Sequence, residues 1–166
     1  MKCLGFILTL FFHFNILFSQ SVELPQVGVL DFEPRGIPTS LSQRFTEAVR
    51  NEIENINLVQ VIDRGSLLST LEERGYKRSN CITDYCEALI GQLLEVDFIL
   101  SGSIAYADSI YTIDMNMVSV PIGSIDKSIT MRVFGDYQNL MDEAEAAAWN
   151  LFGLKSPQQI AIVEER

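Results

Sequence analysis

The sequence predicts an α/β (α+β) domain built on one mixed sheet of about five strands, in the order β-α-β-α-α-β-β-β-α, with helices packed on the sheet. Three observations carry that expectation. Residues 96–104 (Val-Asp-Phe-Ile-Leu-Ser-Gly-Ser-Ile) form a dense apolar run, too short for a spanning helix and bounded by polar turns, as a central strand should be. Before this run strand and helix periods alternate, and after it two stretches alternate cleanly in polarity, the mark of antiparallel strands with one wet face. The 166 residues allow one ordinary domain and leave little room for a second. A chain of this size buries roughly two-thirds of its unfolded surface, so it needs no metal or dense disulfide framework.

Residues 26–32 (Gln-Val-Gly-Val-Leu-Asp-Phe) read as the first strand, leaving through Glu33-Pro34-Arg35-Gly36-Ile37-Pro38, where two prolines and a glycine enforce a loop. Ser40 with Gln43 fits a capping box, and Leu41, Phe45, Ala48, Val49, Ile53 and Ile56 recur at helical spacing. Residues 58–63 supply a second strand and close a β-α-β unit, whose strands should be parallel with a right-handed crossover. Leu67, Leu68 and Leu71 mark a second helix that stops before Gly75, and residues 76–84 are loop. Asp84 with Glu87 makes another capping box, opening a third helix whose apolar face is Leu89, Ile90, Leu93 and Leu94. Gly91 inside it costs about 1 kcal/mol against alanine, which close approach to a neighbouring backbone would explain.

Beyond the central strand, Tyr111, Ile113, Met115 and Met117 alternate with Thr112, Asp114 and Asn116. Ile125, Ile129, Met131 and Val133 then alternate with Asp126, Ser128, Thr130 and Arg132. Residues 107–109 and 121–124 are the reversals. The polar face must meet solvent or a partner. Asp136 caps a last helix with Leu140, Met141, Ala144, Ala147, Ala148, Leu151 and Phe152 on its apolar side, and Gly153 ends it.

Residues 21–153 therefore form the single domain. Ahead of it, residues 1–20 carry Lys2 and an apolar block over 4–18, short of the roughly 20 residues a spanning helix wants, and read as a signal peptide. Cleavage is expected near residues 19–21, with an uncleaved amino-terminal anchor as the lesser reading. Cys3 precedes the apolar block, so a lipid-modified amino terminus is not supported. After the domain, residues 154–166 contain Ile160-Ala161-Ile162-Val163, read as a loosely attached edge strand ahead of a contact segment or a disordered end.

Losing residues 1–20 removes Lys2 and no acid, leaving 11 basic against 22 acidic residues in the mature chain. Such a field repels phosphate backbones and anionic membranes, so nucleic acid is an unfavourable partner. His13 is the single histidine and lies in the signal segment, so the mature chain lacks Ser-His, Cys-His and His-based zinc chemistry. No cofactor or metal set is implied. Cys81 and Cys86, close together in an exported protein, read as a local disulfide, with two free thiols as the alternative.

Asp31 and Glu33 end the first strand, where open α/β sheets place ligand groups, and a carboxylate pair could serve acid–base hydrolysis. The plainer reading is a solvated strand end with Asp31 bonding loop amides. Arg35 and Arg64 complete the candidate loops for a ligand or partner. Arg64 should pair with an acid such as Asp63, Glu72 or Asp97, in a structural ion pair or cap ahead of anion binding. Ser101-Gly102-Ser103 lacks phosphate-loop spacing, so Gly102 marks a bulge or close packing. Tyr106, Tyr111, Met115, Met117 and Met131 form an apolar stripe, for a partner surface or, more simply, the core.

Taken together, residues 27–32, Val61-Ile62-Asp63-Arg64 with Leu68 and Leu71-Glu72, the cysteine pair, Ile90-Gly91, residues 96–104 and Gly123 resemble a bacterial envelope-protein family. It is the family of the curli-secretion channel protein CsgG, the penicillin-binding-protein activator LpoB and TolB amino-terminal-like domains. The resemblance implies an anticodon-binding-domain-like α/β fold and a non-enzymatic periplasmic or secreted domain. It would bind an envelope protein partner in secretion or wall assembly, and self-association into a homo-oligomer is open to it. The chain lacks the cysteine directly after a signal sequence that tethers family members, and it is too short for added pore-forming hairpins. The mature chain should have no integral membrane span. The rival expectation is a periplasmic small-ligand receptor using the loops after Asp31 and Asp63.

Overall fold

The computed structural model describes residues 23–76 and 83–164, the side chains of 161–164 excepted. The expected signal peptide and Cys81 lie outside the described residues. In chain order the elements are β1 (Gln26–Val29), β2 (Glu33–Arg35), α1 (Thr39–Ile56), β3 (Gln60–Val61), α2 (Arg64–Glu73) and α3 (Asp84–Leu93). They continue with β4 (Phe98–Ala107), β5 (Ile110–Ser119), β6 (Ser124–Phe134), α4 (Tyr137–Asp142), α5 (Ala144–Leu151) and α6 (Pro157–Glu164). All strands join one mixed sheet in the order β3-β1-β4-β5-β6, with β2 also paired to β4. The central apolar run is β4, parallel to β1 and β2 on one side and antiparallel to β5 on the other.

The sixth strand, β2, forms where two prolines pointed to a loop. It pairs with β4 from Glu33↔Ser103 to Arg35↔Ala105, so β1 and β2 are one strand interrupted over residues 30–32. Pro34 is tolerated because no strand pairs on the outer side of β2 among the described residues. Helix α1 satisfies the backbone at the interruption. Thr46 Oγ1 accepts from the Phe32 amide at 3.0 Å, and Ser42 Oγ donates to the Phe32 carbonyl at 2.6 Å. One turn further, buried Arg50 donates to the carbonyls of Val29 and Ile62 at 2.8 and 2.9 Å. Polar residues at 42, 46 and 50 thus lie on the buried side of an otherwise apolar helix because the broken strand needs partners there.

Helices cover the two sheet faces unequally. On one, α1, α4 and α5 close a large core over Val27, Val29, Leu100, Ile104, Ile113, Met115, Met117 and Val133. The Met115–Met117 part of the apolar stripe is therefore core, while Tyr106 is partly exposed and stacks on Tyr111 with ring centroids 4.4 Å apart. On the other face α2 and α3 bury a smaller cluster of Leu30, Leu67, Ile90, Val96, Ile99 and Val120. Gly91 lets α3 descend there: a Cβ at this position would run into the Val120 side chain, a side-chain contact in place of the backbone approach expected. At Gly102 a Cβ would lie 2.5 Å from the Asp114 carbonyl oxygen and 3.2 Å from the Phe32 ring.

Several boundaries differ from the sequence reading. Helix α1 begins at Thr39 after Pro38, with no side-chain cap; the Pro38 carbonyl accepts from Leu41 and Ser42 amides, so Ser40 and Gln43 form no capping box. Helix α3 is capped by Thr83, which accepts from the Cys86 amide, one residue ahead of the Asp84 box expected. Asp136 does cap α4, in a capping box with Asn139, but Glu143 divides the last long helix into α4 and α5. A register shift at Met117/Val118 breaks the alternation, which leaves Ile125 exposed. The tail holds α6 where an edge strand was expected. Ser156 and Gln159 exchange side-chain-to-amide bonds at 3.1 and 3.3 Å, and Pro157 occupies the first helical position, where it gives up no intrahelical bond. Among the described residues no helix is long and apolar enough to cross a membrane.

Candidate functional site

Helix α3 packs over one end of its sheet face and leaves the other end open. Strand register makes rows of the side chains there. Ser101 lies beside Asn116 and Asn116 beside Ser128; Glu33, Ser103, Asp114 and Thr130 form the next row, crossing four strands. Neighbouring strands are about 4.8 Å apart, so each row is a short polar ladder. The walls are residues 31–35, Thr39 and Gln43 of α1, and Thr83, Asp84 and Glu87 at the start of α3. Together they enclose a trough of about 810 Å³.

Its electrostatics are acidic. Among the described residues Asp31, Glu33, Asp84, Glu87 and Asp114 line it, with Arg35 as the one cation. Among the described residues Asp31 and Glu33 face arginines. Arg64 grips Asp31 with a fork, Nη2 lying 2.7 and 3.0 Å from the two carboxylate oxygens and Nε 3.2 Å from one. This hydrogen bonding holds the guanidinium above its ordinary pKa. Gln43 Nε2 also donates to Asp31, at 3.3 Å. Arg35 meets Glu33 at 2.8 Å, both more than half exposed, so that pair contributes little to stability. Deeper in, Ser101 Oγ donates to Glu87 at 2.8 Å and Thr130 Oγ1 donates to Asp114 at 2.7 Å. Asp84 and Asp114 enter no ion pair among the described residues.

The structure therefore brings Asp31, Glu33 and Arg35 to one trough and attaches Arg64 to it through Asp31. None of Asp63, Glu72 or Asp97 is the partner of Arg64. Parallel pairing of Val27 with Val61 sets the ends of β1 and β3 side by side, so the residues just beyond them meet. Asp63 instead caps α2, accepting from the Ser66 amide at 2.8 Å, which lowers its pKa; Asp97 accepts from the Gln26 amide. Asp31 bonds side chains instead of loop amides. Local pattern puts Asp84 and Glu87 in a helix cap and Ser101 and Ser103 inside a strand; it is the β4–β5 register that sets the serines beside Asn116 and Asp114. Cys86 is disulfide-bonded and stands near the trough at the start of α3.

No protein-family model matches the chain, and no curated protein matches it. Solved structures do. The LpoB C-terminal domain from Escherichia coli superposes with a TM-score of 0.54 at 18% identity, covering 66% of this chain and 82% of that one. Lipoprotein GNA1162 from Neisseria meningitidis gives 0.59 at 11% identity, covering 78% and 96%. TolB from Acinetobacter baumannii gives 0.56 at 8% identity, covering 82% of this chain and 30% of that one. The chain has an LpoB-like fold. At these identities the likeness establishes architecture, and the curli-channel side of the sequence resemblance is not carried by it.

Proposed function

We propose that the chain is an exported, non-enzymatic binding domain of the bacterial cell envelope, acting through protein–protein contacts as an accessory to secretion or wall assembly. The observation that carries this reading is the open polar sheet face, bounded by α1 and α3, on a fold shared with LpoB and with a lipoprotein. Residues 1–20 act as the signal peptide, residues 21–153 as the binding domain, and Cys81 is the disulfide partner of Cys86, as suits a periplasmic or secreted protein. Binding in place of catalysis is supported by the state of the carboxylates, since Asp31 is held by Arg64 and Glu33 by Arg35. Homo-oligomerisation is compatible with this reading, and light scattering on the mature chain measures it.

Crosslinking in the native envelope followed by purification of the tagged chain tests the proposal. It should recover a secretion or wall-synthesis protein, with residues 1–20 removed from the chain. A chain found in the cytoplasm with those residues retained overturns it. The volume of the trough also suits a small-molecule receptor, for which thermal-shift screening against envelope metabolites should give stabilisation by mass action.

A further inference from the structure

We infer that the trough receives a lysine- or arginine-bearing extended segment of the protein partner; this rests on the binding-domain reading and names the chemistry of its occupant. Charge is the first ground. Among the described residues Asp31, Glu33, Asp84, Glu87 and Asp114 line the trough with Arg35, Arg35 being tied to Glu33 and Asp31 to Arg64. Asp84 on the α3 wall and Asp114 on the sheet floor have no ion-pair partner among the described residues. The second ground is Ser103. It is only 6% exposed, lines the trough, and makes no side-chain hydrogen bond within the described residues, so its hydroxyl is open to the donor or acceptor of an occupant.

The distribution of the acids selects the occupant. Among the described residues no three of His, Cys, Asp and Glu converge closely enough to hold a metal ion. The carboxylates are spread along the trough, which suits several separated cationic side chains better than one compact ion. Between them Ser103, Asn116 and Ser128 offer neutral donors and acceptors to a peptide backbone. Pro34 at the middle of β2 removes a donor from that rim, so recognition falls to side chains more than to strand addition.

The test is fluorescence anisotropy with a labelled peptide of alternating lysine and serine, its glutamate–serine counterpart, and the purified mature chain. The lysine peptide should bind saturably and weaken as ionic strength rises, while the glutamate peptide should not bind. Asp84→Asn with Asp114→Asn should weaken binding about tenfold. Asp108→Asn with Asp142→Asn makes the same charge change away from the trough and should stay within about twofold of the parent. Equal loss in both pairs, or equal binding of both peptides, overturns the inference. Circular dichroism confirms that each variant is folded, and Ser103→Ala, with no acid changed, should also weaken binding. A photocrosslinker at Thr130 in native envelopes separates the two levels of the claim. Capture that persists unchanged in the Asp84→Asn and Asp114→Asn chain removes the cationic occupant and leaves the binding domain standing. Absence of capture there and at every other exposed position removes the binding-domain reading itself.

Discussion

Arg50 is 4% exposed, yet its two terminal nitrogens close the carbonyls of Val29 and Ile62, and so stitch α1 to the ends of β1 and β3. Its Nε has no hydrogen-bond partner and lies 3.5 Å from Glu47 Oε2. Burial lowers the guanidinium pKa and Glu47 opposes that shift, but an arginine starts so far above neutrality that the charge persists. Arg50→Met would leave two buried carbonyls unpaired and should cost about 3 kcal/mol in urea unfolding, with Arg50→Lys recovering part of it. A loss below about 1 kcal/mol would mean that water replaces the fork. Asp63 gives a pH signature of the opposite kind. The Ser66 amide bond lowers its folded pKa, so the unfolded chain takes up the proton first as pH falls. Its contribution is complete above the unfolded value of about 3.9 and is lost as pH falls through the folded value. Asp63→Asn keeps a capping oxygen without titrating, so its stability deficit against the parent should shrink below about pH 4. A deficit that stays constant through that range would show that the cap, not the charge, is what matters.

At the scale of elements, α3 shows why a locally unfavourable residue is kept. Alanine at position 91 gains about 1 kcal/mol of helix propensity, but its Cβ would overlap Val120, and overpacking of this kind costs about 1–3 kcal/mol. The clash should win: Gly91→Ala lowers the thermal midpoint, and Val120→Ala in the same chain restores part of the loss, as a double-mutant cycle would read. Independent, additive effects would refute the contact. Elements with strong periodicity were legible in the sequence, among them α1, β4, β5 and the Asp136 cap. Those hidden by a local signal were not. Pro34 concealed β2, because its parallel pairing depends on β4, far along the chain. The β-branched pair Ile162–Val163 suggested a strand at the tail, yet Ser156, Pro157 and Gln159 together begin a helix. The trough was half legible. Alternation at Thr112, Asp114 and Asn116 announced a wet face, but which face α3 covers depends on a crossover that no local pattern encodes.

Over the whole molecule, the imbalance between the two cores sets an order of stability. The α1–α5 side buries Phe45, Ile53, Leu100, Met115 and Leu140 in one cluster, whereas among the described residues α2 and α3 rest on six buried ones. Local opening free energy follows buried apolar contact, so the smaller side should open first. Amide hydrogen exchange should therefore show α2 and α3 exchanging through sub-global openings, with α1, β4 and β5 protected to the global limit. Cys86 at the start of α3 is disulfide-bonded, so reduction should speed exchange in α3 while β5 stays unchanged. Asp84, Thr83 and Glu87 of the trough wall ride on this same helix start. Any occupant that bridges them to Asp114 on the sheet must slow that opening, because it binds the closed arrangement and not the open one. Added lysine peptide should thus raise protection in α3, bringing it closer to that of α1. Equal protection of both helices without peptide would show that the two cores open as one unit, and α3 could then not move independently of the sheet.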